Sequence, residues 1–226
     1  MAIKKVLFMG LVLMPLFFSK VAAASYTLVF LPADTYSGKS ITGSLTATFT
    51  DVGAGRVELT ITSFLGDNES VADSNGLYFN FNPAKDNILK ALHFKLVSDS
   101  KKFSQAAGVK LSADGYKAAN GGLYDIELTW PSNVKAFSYG ESQEYLITDS
   151  SGVIKASDFL YLSSQRGAGH TWLAAVDVNV SGKTLTGSWV GATDPPPGAG
   201  TPLPGAVWLF GSGLAVMVCL KKKFLG

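Results

Sequence analysis

The chain has 226 residues, enough for one or two domains, and its 47% hydrophobic content is high for a soluble protein. The formal charge of +2 belongs to its ends. Lys4, Lys5, Lys20, Lys221, Lys222 and Lys223 flank two apolar runs, while between Ser25 and Gly200 thirteen Lys and Arg face seventeen Asp and Glu, a net of −4. That mildly acidic middle gives no electrostatic case for nucleic-acid binding. The one cysteine, Cys219, lies in the second apolar run, so the middle has no disulfide, zinc–thiolate site or Cys nucleophile.

The chain opens with Lys4-Lys5, an uncharged apolar stretch from Val6 to Phe18, and small residues ending in Ala22-Ala23-Ala24. This order is that of a secretory signal peptide, residues 1–24. A thirteen-residue helix at ~1.5 Å per residue falls short of a ~30 Å hydrocarbon core, which disfavours a permanent span. Ala22 and Ala24 form the small–x–small cleavage signature, and cleavage after Ala24 leaves Ser25 as the new N-terminus. Cleavage after Ala23 fits nearly as well.

From Ser25 onward the pattern has period two. Leu45, Ala47 and Phe49 alternate with Thr46, Thr48 and Thr50; Val57, Leu59 and Ile61 with Glu58, Thr60 and Thr62. Leu77, Phe79 and Phe81 alternate with Tyr78, Asn80 and Asn82, and Leu92, Phe94 and Leu96 with His93 and Lys95. Ile126, Leu128 and Trp130 alternate with Asp125, Glu127 and Thr129, and Trp172 opens a long series through Ala174, Val176, Val178 and Val180. Each run predicts a strand with one face in a core and one in water. Turn residues separate them at Asp51–Gly55, Asp73–Gly76, Asp114-Gly115, Asn120–Gly122, Ser151-Gly152 and Ser181-Gly182. A hairpin is predicted across Asp51–Gly55, and a turn or two of helix between Ala84 and Ala91. Eight to ten such strands predict an antiparallel β-sandwich or jelly-roll-like ectodomain over residues 25–192.

Residues 193–201, with three consecutive prolines, read as a semi-rigid spacer. Residues 202–226 follow: Pro202-Leu203-Pro204, an uncharged transmembrane run at 206–220, then Lys221-Lys222-Lys223. Positive residues stay cytoplasmic, so the run inserts with its N-terminal end outside, in agreement with the signal peptide. The order Pro-x-Pro, a short helix containing WLFGSGL and a basic end resembles a PEP-CTERM sorting tail. That resemblance implies a Gram-negative bacterium, export by the general secretion machinery, transient anchoring in the inner membrane and recognition by the protease exosortase. It further implies tail removal and a place at the cell surface or in the exopolysaccharide matrix. Leu203 stands where the motif has glutamate, and the basic end is lysine where the family more often has arginine. Segments GLYFNFNP from Gly76 and DGYKAANGGLYDIELTWP from Asp114 resemble ectodomains found with this tail.

No catalytic constellation stands out. His93 reads as a solvated strand histidine, and His170 as a loop residue without a ligand pair at metal spacing. Gly-x-Ser-x-Gly, His-Glu-x-x-His and phosphate-cradling motifs are absent from the working part of the sequence. Asp125 and Glu127 read as a solvated edge. The oxygen-rich triplets Asp67-Asn68-Glu69 and Asp73-Ser74-Asn75 are the candidates for a Ca²⁺ ion in a loop; no other cofactor is expected. Tyr78, Tyr116, Tyr139 and Trp189, near Asn and Asp, are the candidate sugar-stacking rings. The sequence therefore reads as an exported, non-enzymatic protein of the surface or matrix, with a carbohydrate-binding module and a secreted hydrolase as alternatives.

Overall fold

A computed structural model describes residues 23–37, 41–72, 75–100, 106–118, 122–130, 137–165, 171–180 and 188–192. The residues of the expected sorting tail, Pro202, Leu203, Pro204 and Lys221 to Lys223, those of the expected signal peptide up to Ala22, and His170 and Asp73 lie outside these. Among the described residues no helix is long and apolar enough to cross a membrane.

Twelve strands occur among the described residues, more than the eight to ten expected, and they pair antiparallel in two sheets. The first sheet contains β1 (Ser25–Phe30), β3 (Ser44–Gly53), β4 (Arg56–Phe64), β10 (Ser142–Thr148) and β7 (His93–Asp99), in the order β1-β3-β4-β10-β7. The second contains β2 (Thr35–Ser37), β12 (Ser188–Ala192), β11 (Ala174–Val180), β6 (Leu77–Phe79), β9 (Leu123–Thr129) and β8 (Gly108–Lys117) in that order, with β5 (Glu69–Val71) also on β11. The helical content between Ala84 and Ala91 is a 3-10 turn at Pro83–Lys85 and one turn of α1 (Asp86–Leu89). Asn82 starts it by accepting the Ala84 N–H at 3.0 Å.

The two sheets share one core. Leu45, Ala47 and Phe49 of β3 and Val57, Leu59 and Ile61 of β4 point into it, as their alternation predicts, and meet Leu77, Phe79, Ile126, Leu128, Val176 and Val178 of the second sheet. The Phe49 ring meets Phe79 edge-on at 5.1 Å and stacks on Phe159 at 4.6 Å. The β3–β4 hairpin forms as predicted, with a register shift between Asp51 and Gly53. Gly55, at φ +61°, closes it; a Cβ there would stand 2.2 Å from the Gly152 Cα, because the hairpin tip packs against the Ser151-Gly152 turn.

Four expectations need correction. Asp114-Gly115 is not a connection between strands but a bulge inside β8, where Asp114 adopts φ 49° and the register against β9 shifts between Leu111 and Tyr116. Tyr78 and Asn80 do not face water: each is 2% exposed, since β6 is a central strand covered on both sides. Asp125 and Glu127 are likewise buried rather than a solvated edge. Trp172 does not share the core face of Ala174, Val176 and Val178 but packs with Tyr78, Tyr124, Ala175 and Trp189 on the other side of the sheet.

Loops at one end are tied by Glu69, 4% exposed. Its carboxylate accepts the N–H groups of Thr42 (2.5 Å), Gly43 (3.1 Å) and Gly66 (2.7 Å) and the Thr42 hydroxyl (3.0 Å). Burial alone would raise its pKa, but these donors outweigh burial and hold it below the ordinary glutamate value. With a depressed folded value, its stabilisation is complete above the unfolded pKa of about 4.3 and is lost as pH falls through the folded one. Glu69→Ala should cost about 3 kcal/mol or more, because three N–H groups lose their acceptor. Urea melts at pH 7 and pH 3 check this; an equal loss at both would contradict the ionised-carboxylate account.

Candidate functional site

The outward faces of the two sheets differ in chemistry. On the second sheet, β6, β9 and β12, with Trp172 just before β11, present aromatic rings that close over one another: Tyr78 lies 5.5 Å from Trp189 and 5.7 Å from Tyr124, centroid to centroid. Trp172 covers Gly191, where a Cβ would sit 2.2 Å from the indole ring. Three of the rings nominated by the sequence for sugar stacking are therefore unavailable as a platform: Tyr78 and Trp189 are buried and Tyr116 packs against them.

The polar groups beneath these rings are spent on the fold. The Tyr78 hydroxyl donates to Glu127 at 3.2 Å, and Lys110 reaches the other Glu127 oxygen at 2.9 Å. Burial, then the Glu127 charge, pushes the Tyr78 phenol up. Asp125 accepts the N–H groups of Phe81 (2.8 Å) and Asp114 (2.7 Å), standing in for ladder bonds where β6 ends and β8 bulges. Asp158 holds Lys85 at 2.6 Å and Asn82 at 2.9 Å. Among the described residues no group of three or more His, Cys, Asp or Glu is arranged to hold a metal. Of the calcium candidates, Glu69 is engaged by backbone donors, Asp67 and Asn68 form an exposed turn, and Asn75 donates to Asp177 at 3.1 Å.

The first sheet turns a different face outward. Its register sets side chains in rows: Ser25, Thr50, Glu58, Leu146 and Lys95; Thr27, Thr48, Thr60 and Glu144; Val29, Thr46, Thr62 and Ser142. Hydroxyls bond across strands, Ser25 to Thr50 at 2.9 Å, Thr27 to Thr48 at 2.9 Å and Thr62 to Ser142 at 3.1 Å. Thr–Thr pairs of this kind stabilise an antiparallel ladder. At the end of the β4 column Phe64 is 52% exposed. Beside it, a turn carrying Tyr139, 57% exposed, is fixed to β4 by bonds from Ser63 N–H to the Glu141 carbonyl (2.8 Å) and from Gly140 N–H to the Ser63 carbonyl (2.9 Å). Glu144 pairs with Thr60 and stands diagonally beside Glu58 on this face; partial burial, then the neighbouring Glu144, raises the Glu58 pKa. The sequence pattern showed Glu58, Thr60 and Thr62 facing water, but not that β10 would bring Glu144 against them. Phe64 continues that alternation and was legible only as its end.

The residues of the expected cleavage site that are described sit at the start of the first sheet. Ser25 is the first residue of β1, and the Ala24 carbonyl accepts the Asp51 N–H at 2.8 Å. His93 is exposed at the start of β7, as the sequence suggested.

Asp177 is the exception to the satisfied polar groups. It is 3% exposed, and among the described residues one oxygen takes only the Asn75 amide and the other has no hydrogen-bond partner. Burial raises its pKa, opposed in part by Asn75. A carboxyl raised in the folded state adds most stability below the unfolded value of about 3.9 and loses it as pH rises through the folded pKa. Asp177→Asn should therefore stabilise at pH 8 by about 1–3 kcal/mol, the cost of an uncompensated buried polar group, with the gain shrinking towards pH 4. A gain independent of pH, read from denaturant melts, would refute this. No family model matches the chain, and searches of the curated proteins and of the solved structures found no match.

Proposed function

We propose that this chain is an exported, non-enzymatic protein of the cell surface or exopolysaccharide matrix of a Gram-negative bacterium, with a jelly-roll-like ectodomain between a signal helix and a C-terminal membrane helix. The general secretion machinery carries it across the inner membrane, the 206–220 helix holds it there, and exosortase releases it at Pro202-Leu203-Pro204.

The observation that supports this reading best is the fit between the strand layout and the targeting segments. β1 begins at Ser25, the residue that follows the cleavage signature, and β12 runs to Ala192, next to the proline spacer. Cleavage after Ala23 or after Ala24 leaves the whole of β1 in place. The use of Asp125, Glu127, Asp158 and Glu69 as structural acceptors also favours a binding or scaffold role over hydrolysis. A glycosidase needs two carboxyl groups facing each other roughly 5–10 Å apart about a bound sugar, whereas Glu58 and Glu144 stand side by side on one outward sheet face.

Protein recovered from the native envelope should begin at Ser25 or Ala24 and should lack Ala206 to Gly226; N-terminal sequencing and intact mass measure both. Pro202 and Pro204 each fix φ and remove an N–H donor, keeping the protease's target extended. Replacing both with Ala should leave the tail attached. Recovery of the intact tail from the wild-type chain in its own host would reduce residues 202–226 to a plain anchor.

A further inference from the structure

We propose that the outward face of the first sheet is a docking surface for an extended polysaccharide that carries amino groups. The inference rests on the matrix reading above and names the partner class that one face of the domain fits.

Three features converge there. The first is the aromatic end. Phe64 shares its face with Glu58, Thr60 and Thr62, and half its surface lies in water next to the turn that displays Tyr139. The closed aromatic cluster on the opposite sheet shows that this chain buries rings where they serve packing. A pyranose presents C–H groups on one side, and an exposed ring at the end of a strand offers them a flat apolar partner.

The second is the hydroxyl field between the rings and the acids. Strands lie ~4.8 Å apart and alternate residues of one strand ~6.8 Å apart, so Thr27, Thr46, Thr48, Thr50, Thr60 and Thr62 form a regular grid. Cross-strand bonds fix the orientation of several of them, and each oxygen retains capacity for a further bond. From Glu58 to Phe64 the grid extends about 20 Å, suited to a chain molecule rather than a single sugar.

The third is charge, which decides among polymers. Between Arg56 at one end and Phe64 at the other, the outward columns of β1, β3, β4 and β10 carry no charge except Glu58 and Glu144. The pairing of Glu144 with Thr60 and of Leu146 with Glu58 makes the two acids diagonal neighbours on this face, and neither stands within salt-bridge distance of a Lys or Arg among the described residues. Lys95, Arg56, His93 and, after cleavage, the Ser25 amine lie at the borders of the face. An ammonium placed at the pair replaces a repulsive contact with two attractive ones. A neutral glucan leaves the repulsion in place, and a polyuronate adds to it.

The test uses the full chain in detergent and three probes of equal length: glucosamine oligomers, cello-oligosaccharides and oligogalacturonate, titrated at pH 6 by calorimetry. Glucosamine oligomers should bind at least tenfold more tightly than the other two, with affinity falling as salt is raised. The double variant Glu58→Gln/Glu144→Gln should lose at least tenfold in affinity while its Tm stays level or rises, since a like-charge contact has been removed. Phe64→Ala should lose a similar factor towards every oligomer that binds. Equal binding of cello-oligosaccharides, unchanged affinity in the double variant, or no glucosamine binding at all would each overturn the proposal. If matrix polysaccharide still co-purifies with the chain in any of those cases, the matrix reading survives and only this surface falls. If none co-purifies, both fall.

Discussion

The structure turns on the contact that Phe49 makes with both halves of the sandwich. Its ring belongs to the first sheet, yet it meets Phe79 of the second and stacks on Phe159 from the segment that crosses between them. Aromatic pairs at these distances combine large apolar burial with a defined geometry. Without the Phe49 ring the two inner faces would lose the piece that sets their spacing, and losses of about 3–5 kcal/mol accompany removal of such a ring from a core. Phe81 joins the same group against Phe159, which extends it past the end of β6.

Once one face of the second sheet is committed to that core, the fate of its other face follows from what covers it. Tyr78, Tyr124, Trp172 and Trp189 close together there, and the strands beneath are left with no solvent on either side. Polar atoms in such a layer must find partners inside the protein. This explains why Asn80 reaches the carbonyls of Trp172 and Leu173 at 3.2 Å, why Asp125 completes two interrupted backbone positions, and why Tyr78 shares Glu127 with Lys110. Asp177 is where the accounting fails, and its carboxyl responds as physics requires, by favouring the neutral form.

Among the described residues the first sheet has no such cover. Its outward side chains are Thr and Ser, residues whose β-propensity and cross-strand hydroxyl bonds stabilise a half-exposed ladder without aromatic bulk. The two sheets thus divide the labour. In one the central strands are covered on both sides, and the other keeps a broad polar face in water with an exposed ring at the end of its middle strand.

By itself the sequence determined the secondary structure class and much of the core. The alternation through Phe49, Ile61 and Leu128 is a local consequence of strand geometry, and so is the Asp51–Gly55 hairpin. The targeting reading of the two ends also came from local order and composition alone. Tertiary structure decided everything that depends on which strand lies beside which. Period two says that Tyr78 and Asp125 face away from their apolar neighbours, but it cannot say whether water or Trp189 waits on that side. It marks Glu58 as outward-facing, but the meeting with Glu144 needed β10 to pair with β4 across some eighty residues of chain. Asp114-Gly115 carries the turn signature, yet β9 holds β8 on both sides of it, and pairing energy turned a predicted connection into a bulge. Strand periodicity is a property of neighbours in sequence, whereas burial, charge contact and register are properties of neighbours in space.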